Sequence, residues 1–226
     1  MADMYIDWRP LAEFGGRLES GYSVSGSALT TTYIKGKDAS SFLLTSCEIG
    51  LRTITLPIVF FGGDYAAVVG NKNRFDAAAV AKKVELRLPD GYYYTSILTS
   101  AGALTWIGSA AASCTYTFLG VQHGKKMCVM TTNGKVWCES TAPKVDCSLR
   151  TTVTADAEVY NLAGAKFQDV HAGDVLEFDG INKRILINNA PAANRCAFLR
   201  FPFLVPGTNT LTITDPVKVT YYPTYI

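Results

Sequence analysis

The sequence is poor in the residues that carry out chemistry. Its 226 residues include only two histidines, His123 and His171. Neither stands beside a nucleophile motif, so each reads as a surface or loop histidine before it reads as a general base. The string Gly21-Tyr22-Ser23-Val24-Ser25-Gly26 misses the G-x-S-x-G spacing of a nucleophile elbow and lacks its strand-then-helix context. Gly16 and Gly21 frame no Lys-Ser/Thr pair, which excludes a phosphate-cradling loop. Asp174, Glu177 and Asp179 supply carboxyls enough for glycoside hydrolysis. Their place on an alternating run that rises to an Asp-Gly turn explains each as an outward polar position or a turn former. No catalytic, cofactor-binding or metal-binding residue is assigned, and the chain reads as non-enzymatic.

Other absences narrow the class further. None of the six cysteines (Cys47, Cys114, Cys128, Cys138, Cys147 and Cys196) forms a C-x-x-C pair. Residues 1–8 hold Asp3 and Asp7 and no apolar core, so no secretory signal is expected and reduced thiols are the default. Cys128, Cys138, Cys147 and His123 match no zinc spacing; buried cysteines acting as small hydrophobes are the simpler account. Residues 91–122 contain no charge at all. They are rich in Ser, Thr, Gly and Tyr and never build the run of roughly 20 apolar residues that spans a bilayer. The better reading is two or three uncharged strands buried at an interface, without membrane insertion. Nor is there a surplus of one sign. Residues 1–123 carry ten Lys/Arg against ten Asp/Glu, and residues 124–226 carry eleven against nine, within a net charge of +2. The pairs Lys82-Lys83 and Lys125-Lys126 are solvated faces, and phosphate-backbone binding, which needs lopsided positive charge, is disfavoured. Repeats, low-complexity tracts and a Pro-, Gly- or Ser-rich linker are also missing.

What is present is apolar material in period two. Hydrophobic residues make up 48% of the chain, with twelve Tyr and eleven Phe, enough for a real core. Thr53, Ile54, Thr55 and Leu56 alternate before Pro57. Val84, Leu86 and Leu88 alternate with polar neighbours up to a Pro89-Asp90-Gly91 turn, and Tyr92, Tyr94, Ser96 and Leu98 follow, which predicts a hairpin over 84–98. One helix is predicted near 74–83, capped by Asn71 or Asn73, with Phe75, Ala78 and Ala79 on its buried face and Lys82-Lys83 in its last turn. Beyond residue 124, short strands punctuated by Asn133-Gly134, Asp179-Gly180 and Pro206-Gly207 predict a β-sandwich. The fold class is therefore all-β with one short helix. Two domains are expected, 1–125 and 126–226, with a soft boundary around residues 123–130.

The C-terminal residues carry a resemblance. Ala172-Gly173-Asp174-Val175 opens a hairpin that returns on Arg184-Ile185-Leu186-Ile187-Asn188. Pro202-Phe203-Leu204-Val205-Pro206-Gly207-Thr208-Asn209 then makes a corner, and Val217-Lys218-Val219-Thr220-Tyr221-Tyr222-Pro223 closes the chain. This order resembles the end of siphophage distal tail proteins, the Dit family. Gly50-Leu51-Arg52-Thr53-Ile54-Thr55-Leu56-Pro57-Ile58, the helix and the following hairpin resemble the family's first domain more loosely. The Ala- and Ser-rich stretch at 102–113 departs from the family pattern. The resemblance implies an N-terminal β-rich belt domain that closes into a hexameric ring, followed by a galectin-like β-sandwich. It further implies a virion protein at the phage tail tip, assembled in the bacterial host cytoplasm. That protein would bind copies of itself, the tail tube protein and a tail-tip or baseplate hub protein, and leave a hole for DNA. No cofactor or catalytic residue is implied. The alternative is a carbohydrate- or receptor-binding β-sandwich module, for which Trp137, Tyr160 and Phe167 are the candidate aromatics, with core packing as their simpler account.

Overall fold

The computed structural model describes residues 3–35 and 42–226, so the first two residues of the charged opening segment lie outside the described residues. The chain divides into two units, Met1–His123 with Ile226, and Gly124–Tyr225.

The first unit runs through β1 (Tyr5–Ile6), β2 (Arg9–Pro10), β3 (Gly16–Leu18), β4 (Ser23–Val24), β5 (Leu29–Lys35), β6 (Phe42–Ile49) and β7 (Arg52–Phe61). Helix α1 (Tyr65–Ala79) follows, then β8 (Lys83–Arg87), β9 (Tyr93–Ala101), β10 (Thr105–Gly108) and β11 (Ala111–His123). Nine strands form one sheet in the order β2-β1-β8-β9-β11-β7-β3, with β10 on β11 and β4 on β7. Alternation decides which side faces in: Ile54, Leu56, Ile58 and Phe60 of β7 and Cys114, Tyr116 and Phe118 of β11 are all buried. Each fully buried large apolar side chain contributes roughly 1.5–3 kcal/mol. Pro57 marks the change of neighbour along β7. Lacking an N–H, it breaks the outer ladder; β3 pairs with Ile58 to Phe60 and β4 with Ile54 and Thr55. The 84–98 hairpin is present, with Arg87 opposite Tyr93 and Glu85 opposite Thr95.

The helix is a correction. It begins at Tyr65, not near Arg74, and ends at Ala79. Its cap is Asp64, whose carboxylate accepts from the Ala67 amide at 2.8 Å, satisfying a donor the first turn cannot. Asn71 lies inside the helix and donates to the Phe61 carbonyl. Ala81 adopts a left-handed φ of 60° and breaks the run, so Lys83 opens β8 instead of closing the helix. Of the predicted buried face, Phe75 and Ala79 are fully buried and Ala78 half-buried, and Phe75 packs on Phe14, Phe60 and Tyr116 at 4.8–5.9 Å.

The second unit contains β12 (Met127–Thr131), β13 (Lys135–Cys138), β14 (Val145–Thr152), β15 (Ala157–Leu162), β16 (Ala165–Val170) and β17 (Val175–Asp179). It continues with β18 (Arg184–Ile187), β19 (Ala190–Pro191), β20 (Cys196–Ala197), β21 (Phe203–Leu204), β22 (Gly207–Thr210) and β23 (Val217–Tyr221). A seven-stranded sheet has the order β12-β23-β14-β17-β18-β19, with β21 on β14. A three-stranded sheet β15-β16-β20 and a β13-β22 ladder complete the unit. Their inward side chains share one core, including Val136, Leu149, Tyr160, Phe167, Phe178 and Val219. Two glycines are fixed by geometry. Gly207 takes φ 86°, which the Asn209 side chain secures by accepting from Val205 N and donating to Val205 O and Gly207 O. A Cβ on Gly180 would lie 2.4 Å from the Pro202 carbonyl oxygen and 2.7 Å from that of Cys147, so only glycine fits this close approach.

Candidate assembly surfaces

The residues that chemistry would require are kept apart. His123 is buried, stacked on Tyr93 at 5.9 Å, with its Nε2 3.0 Å from Thr95 Oγ1. His171 is exposed, 3.8 Å from Asp156. Ser25 accepts from the Thr53 amide and donates to Gly26 O, which makes it a corner former. Cys138 and Cys147 lie in the core of the second unit while Cys128 is exposed on β12. Among the described residues, no group of three or more His, Cys, Asp or Glu could hold a metal ion. No described helix is long and apolar enough to cross a membrane.

The carboxylates on the β17–β18 hairpin are structural, though one differs from expectation. Asp179 is not an outward polar position: its side chain is buried. It accepts from the Ile181 and Asn182 amides, Asn182 Nδ2 and Arg184 Nε. Burial works to raise the Asp179 carboxyl, but those donors outweigh it and hold the group below its ordinary value. The His171 amide and Asn188 do the same for Asp174. Both acids are turn formers.

Two of the three candidate sugar-stacking aromatics are core residues. Tyr160 and Phe167 are buried, Tyr160 donating to Asp215 at 2.9 Å. Only Trp137 is exposed. Its backbone oxygen accepts from Tyr221.

The surface features are instead apolar and extended. Strands β5 and β6 pair antiparallel, Tyr33 opposite Leu44 and Ile34 opposite Leu43, and among the described residues they pair with no other strand. Because cross-strand partners share a face, each face of the hairpin carries an apolar pair. Leu29, Tyr33, Ile34, Leu43 and Leu44 are all more than half exposed. Strand β10 adds exposed Trp106 and Ile107, with Tyr65 packed edge-on against Trp106 at 4.6 Å. Exposed apolar clusters are a common feature of surfaces that meet other chains. Periodicity pointed to alternation in the β7 region, but not to the free-standing hairpin, whose two strands have no buried side to betray their partner.

No protein-family model matches the sequence, and no curated protein matches it either. Solved structures do. The chain is similar to the SPP1 Dit (gp 19.1) protein, described as a paradigm of the hub adsorption apparatus in phages infecting Gram-positive bacteria. The TM-score is 0.75 at 13% identity, over 99% of each chain. It is also similar to chains of the phage p2 baseplate in its activated conformation. With strontium the TM-score is 0.55 at 11% identity, and with calcium 0.53 at 12%, each over 94% of this chain and 92% of that one. At such identities the likeness is one of backbone architecture, and it runs from end to end: this chain has the all-β fold of the Dit proteins.

Proposed function

We propose that the chain is a structural, non-enzymatic subunit of a phage tail tip. Copies of it, about six, close into a ring that joins the tail tube protein to a tip or baseplate hub protein and lets DNA pass. The observation that carries this reading is the fold likeness to a hub protein over 99% of both chains. A shared sandwich module alone would match only part of each. The exposed β5–β6 hairpin supports self-association, because its leucines would otherwise lie in water. In this reading residues 1–125 form the belt and residues 126–226 a galectin-like sandwich. The protein resides in the virion after assembly in the host cytoplasm.

Native mass spectrometry tests it. The expected species has about six times the 24.5 kDa chain mass, and Ile34→Asp with Leu44→Asp, one change on each hairpin face, returns it to monomer with unchanged circular dichroism. A monodisperse monomer of the intact chain at micromolar concentration rejects the ring.

A further inference from the structure

The outward face of the seven-stranded sheet carries a row of charges, Lys218, Arg150 and Glu177, across β23, β14 and β17. Arg150 on β14 stands directly opposite Lys218 on β23. Like charges in that register oppose one another and destabilise the pair. On its other side Arg150 stands opposite Glu177 of β17, an acid it shares with Arg184. Glu177 lies 3.2 Å from Arg184 and only 4.0 Å from Arg150, and Asp179 is engaged by Arg184 and the turn amides. Neither Lys218 nor Lys126 makes an ion pair among the described residues. Both line one polar basin of ≈ 270 Å³ with Arg150, Ser148 and Thr220, whose other wall carries Arg184 with Glu177 and Asp179, leaving four cations against two acids.

We propose that this basin binds a phosphate group, free or carried on a sugar. Its unpaired cations are lysines, and its neutral donors are hydroxyls, a set suited to a compact tetrahedral anion. A planar carboxylate is better held by a guanidinium fork, and the fork of Arg184 already holds Glu177 and Asp179. The volume accommodates a phosphate with a single sugar ring and little more. The phosphate sits between Arg150 and Lys218, turning their repulsion into shared attraction. Ser148 and Thr220, one row along the same two strands, donate to its oxygens.

Isothermal titration of the full chain with inorganic phosphate, glucose 1-phosphate and glucose, at low salt, tests the site. Saturable one-to-one binding of both phosphates and none of glucose is expected. Lys218→Glu, which replaces a repulsive pair with an attractive one and so does not threaten the fold, weakens binding at least tenfold. Lys126→Ala weakens it less, and Lys135→Glu, on β13 outside the basin, leaves it unchanged. Tighter binding of the sugar phosphate identifies a phosphorylated sugar as the ligand; equal binding identifies the phosphate group alone. The proposal is overturned if no phosphate binding saturates, if Lys135→Glu causes the same loss, if glucose binds as well as its phosphate, or if a hexaglutamate peptide binds more tightly than either phosphate, which would make the basin a docking surface for acidic protein.

Discussion

Tyr116 of β11 donates its phenolic hydrogen to Asp76 of α1 at 2.6 Å, and so ties the helix to the sheet beneath it. Lys72, one turn earlier, holds the other carboxylate oxygen at 2.6 Å. The Tyr116 ring is fully buried, and burial together with its bond to Asp76 pushes the hydroxyl far above its ordinary value. Replacing Asp76 with Ala orphans that hydroxyl and strands Lys72 at the same time. A cost of about 1–3 kcal/mol follows for the buried donor. Calorimetry of Asp76→Ala is expected to show the first unit melting several degrees lower, and Tyr116→Phe to cost less. Equal transitions in wild type and both variants would refute the tie.

Gly207→Val tests the corner before the closing strand. With φ at 86° and a Cβ meeting only the Trp137 ring, at an ordinary contact distance of 3.8 Å, the penalty is chiefly one of backbone conformation. A β-branched residue there costs about 1–3 kcal/mol. Asn, which tolerates left-handed φ, costs less. The expected result is a lower melting temperature for the second unit with Val, a smaller shift with Asn, and unchanged oligomer mass. An unaltered melt would show the corner to be loose, and loss of the oligomer would deny the first unit its independent role in assembly.

Acid should unfold the second unit before the first. Burial pushes the Asp215 carboxyl up, but hydrogen bonds from Thr154 and Tyr160 prevail and hold it below its ordinary value. Asp179 behaves alike. A carboxyl depressed in the folded state contributes stability that is fully present above the unfolded value, 3.8, and lost as pH falls through the folded one. In the first unit Glu85 goes the other way, raised by burial and by Asp7, so its contribution grows in acid. Melting temperatures recorded from about pH 6 down to about pH 2.5 should therefore fall more steeply for the second unit. Asp215→Asn should flatten that slope. Parallel slopes for both units would contradict the carboxylate account.

Thiol labelling should proceed in order of burial. Cys47 and Cys128 are exposed, Cys196 is half-buried, and Cys114, Cys138 and Cys147 are buried. Burial also pushes the Cys147 thiol up to about 12 and that of Cys196 up to about 11, and the thiolate is the reactive form. With a disulfide reagent at mild alkaline pH, two thiols react quickly, one slowly, and three only after denaturation. Six equivalent rates would show the native cores to be open. An intact-mass deficit would reveal disulfides in place of the expected six reduced thiols.

Local sequence sufficed wherever one residue pattern had one structural solution. The 84–98 hairpin was legible because Val84, Leu86 and Tyr94 repeat at the period of a strand around Pro89-Asp90-Gly91. The Pro206-Gly207-Thr208-Asn209 corner was legible because its positive φ and its side-chain bonds involve near neighbours only. Val217, Val219 and Tyr221 alternate with Lys218 and Thr220 in the closing strand, and all three are fully buried. The start of the helix was not legible: Asn71 and Asn73 read as caps, and that reading is overruled by Asp64 at the true cap and by the aromatic floor of Phe14, Phe60 and Tyr116 that receives Phe75. Asp179 could be read as a turn former but not as a buried one, since the donors and the Pro202 and Cys147 carbonyls that enclose the turn depend on how distant strands pack. Tertiary structure alone set Arg150 opposite Lys218 and left both faces of the β5–β6 hairpin bare. Strand pairing is a long-range choice: alternation fixes which side of a strand faces inward, while register and neighbour are settled only when the strands meet.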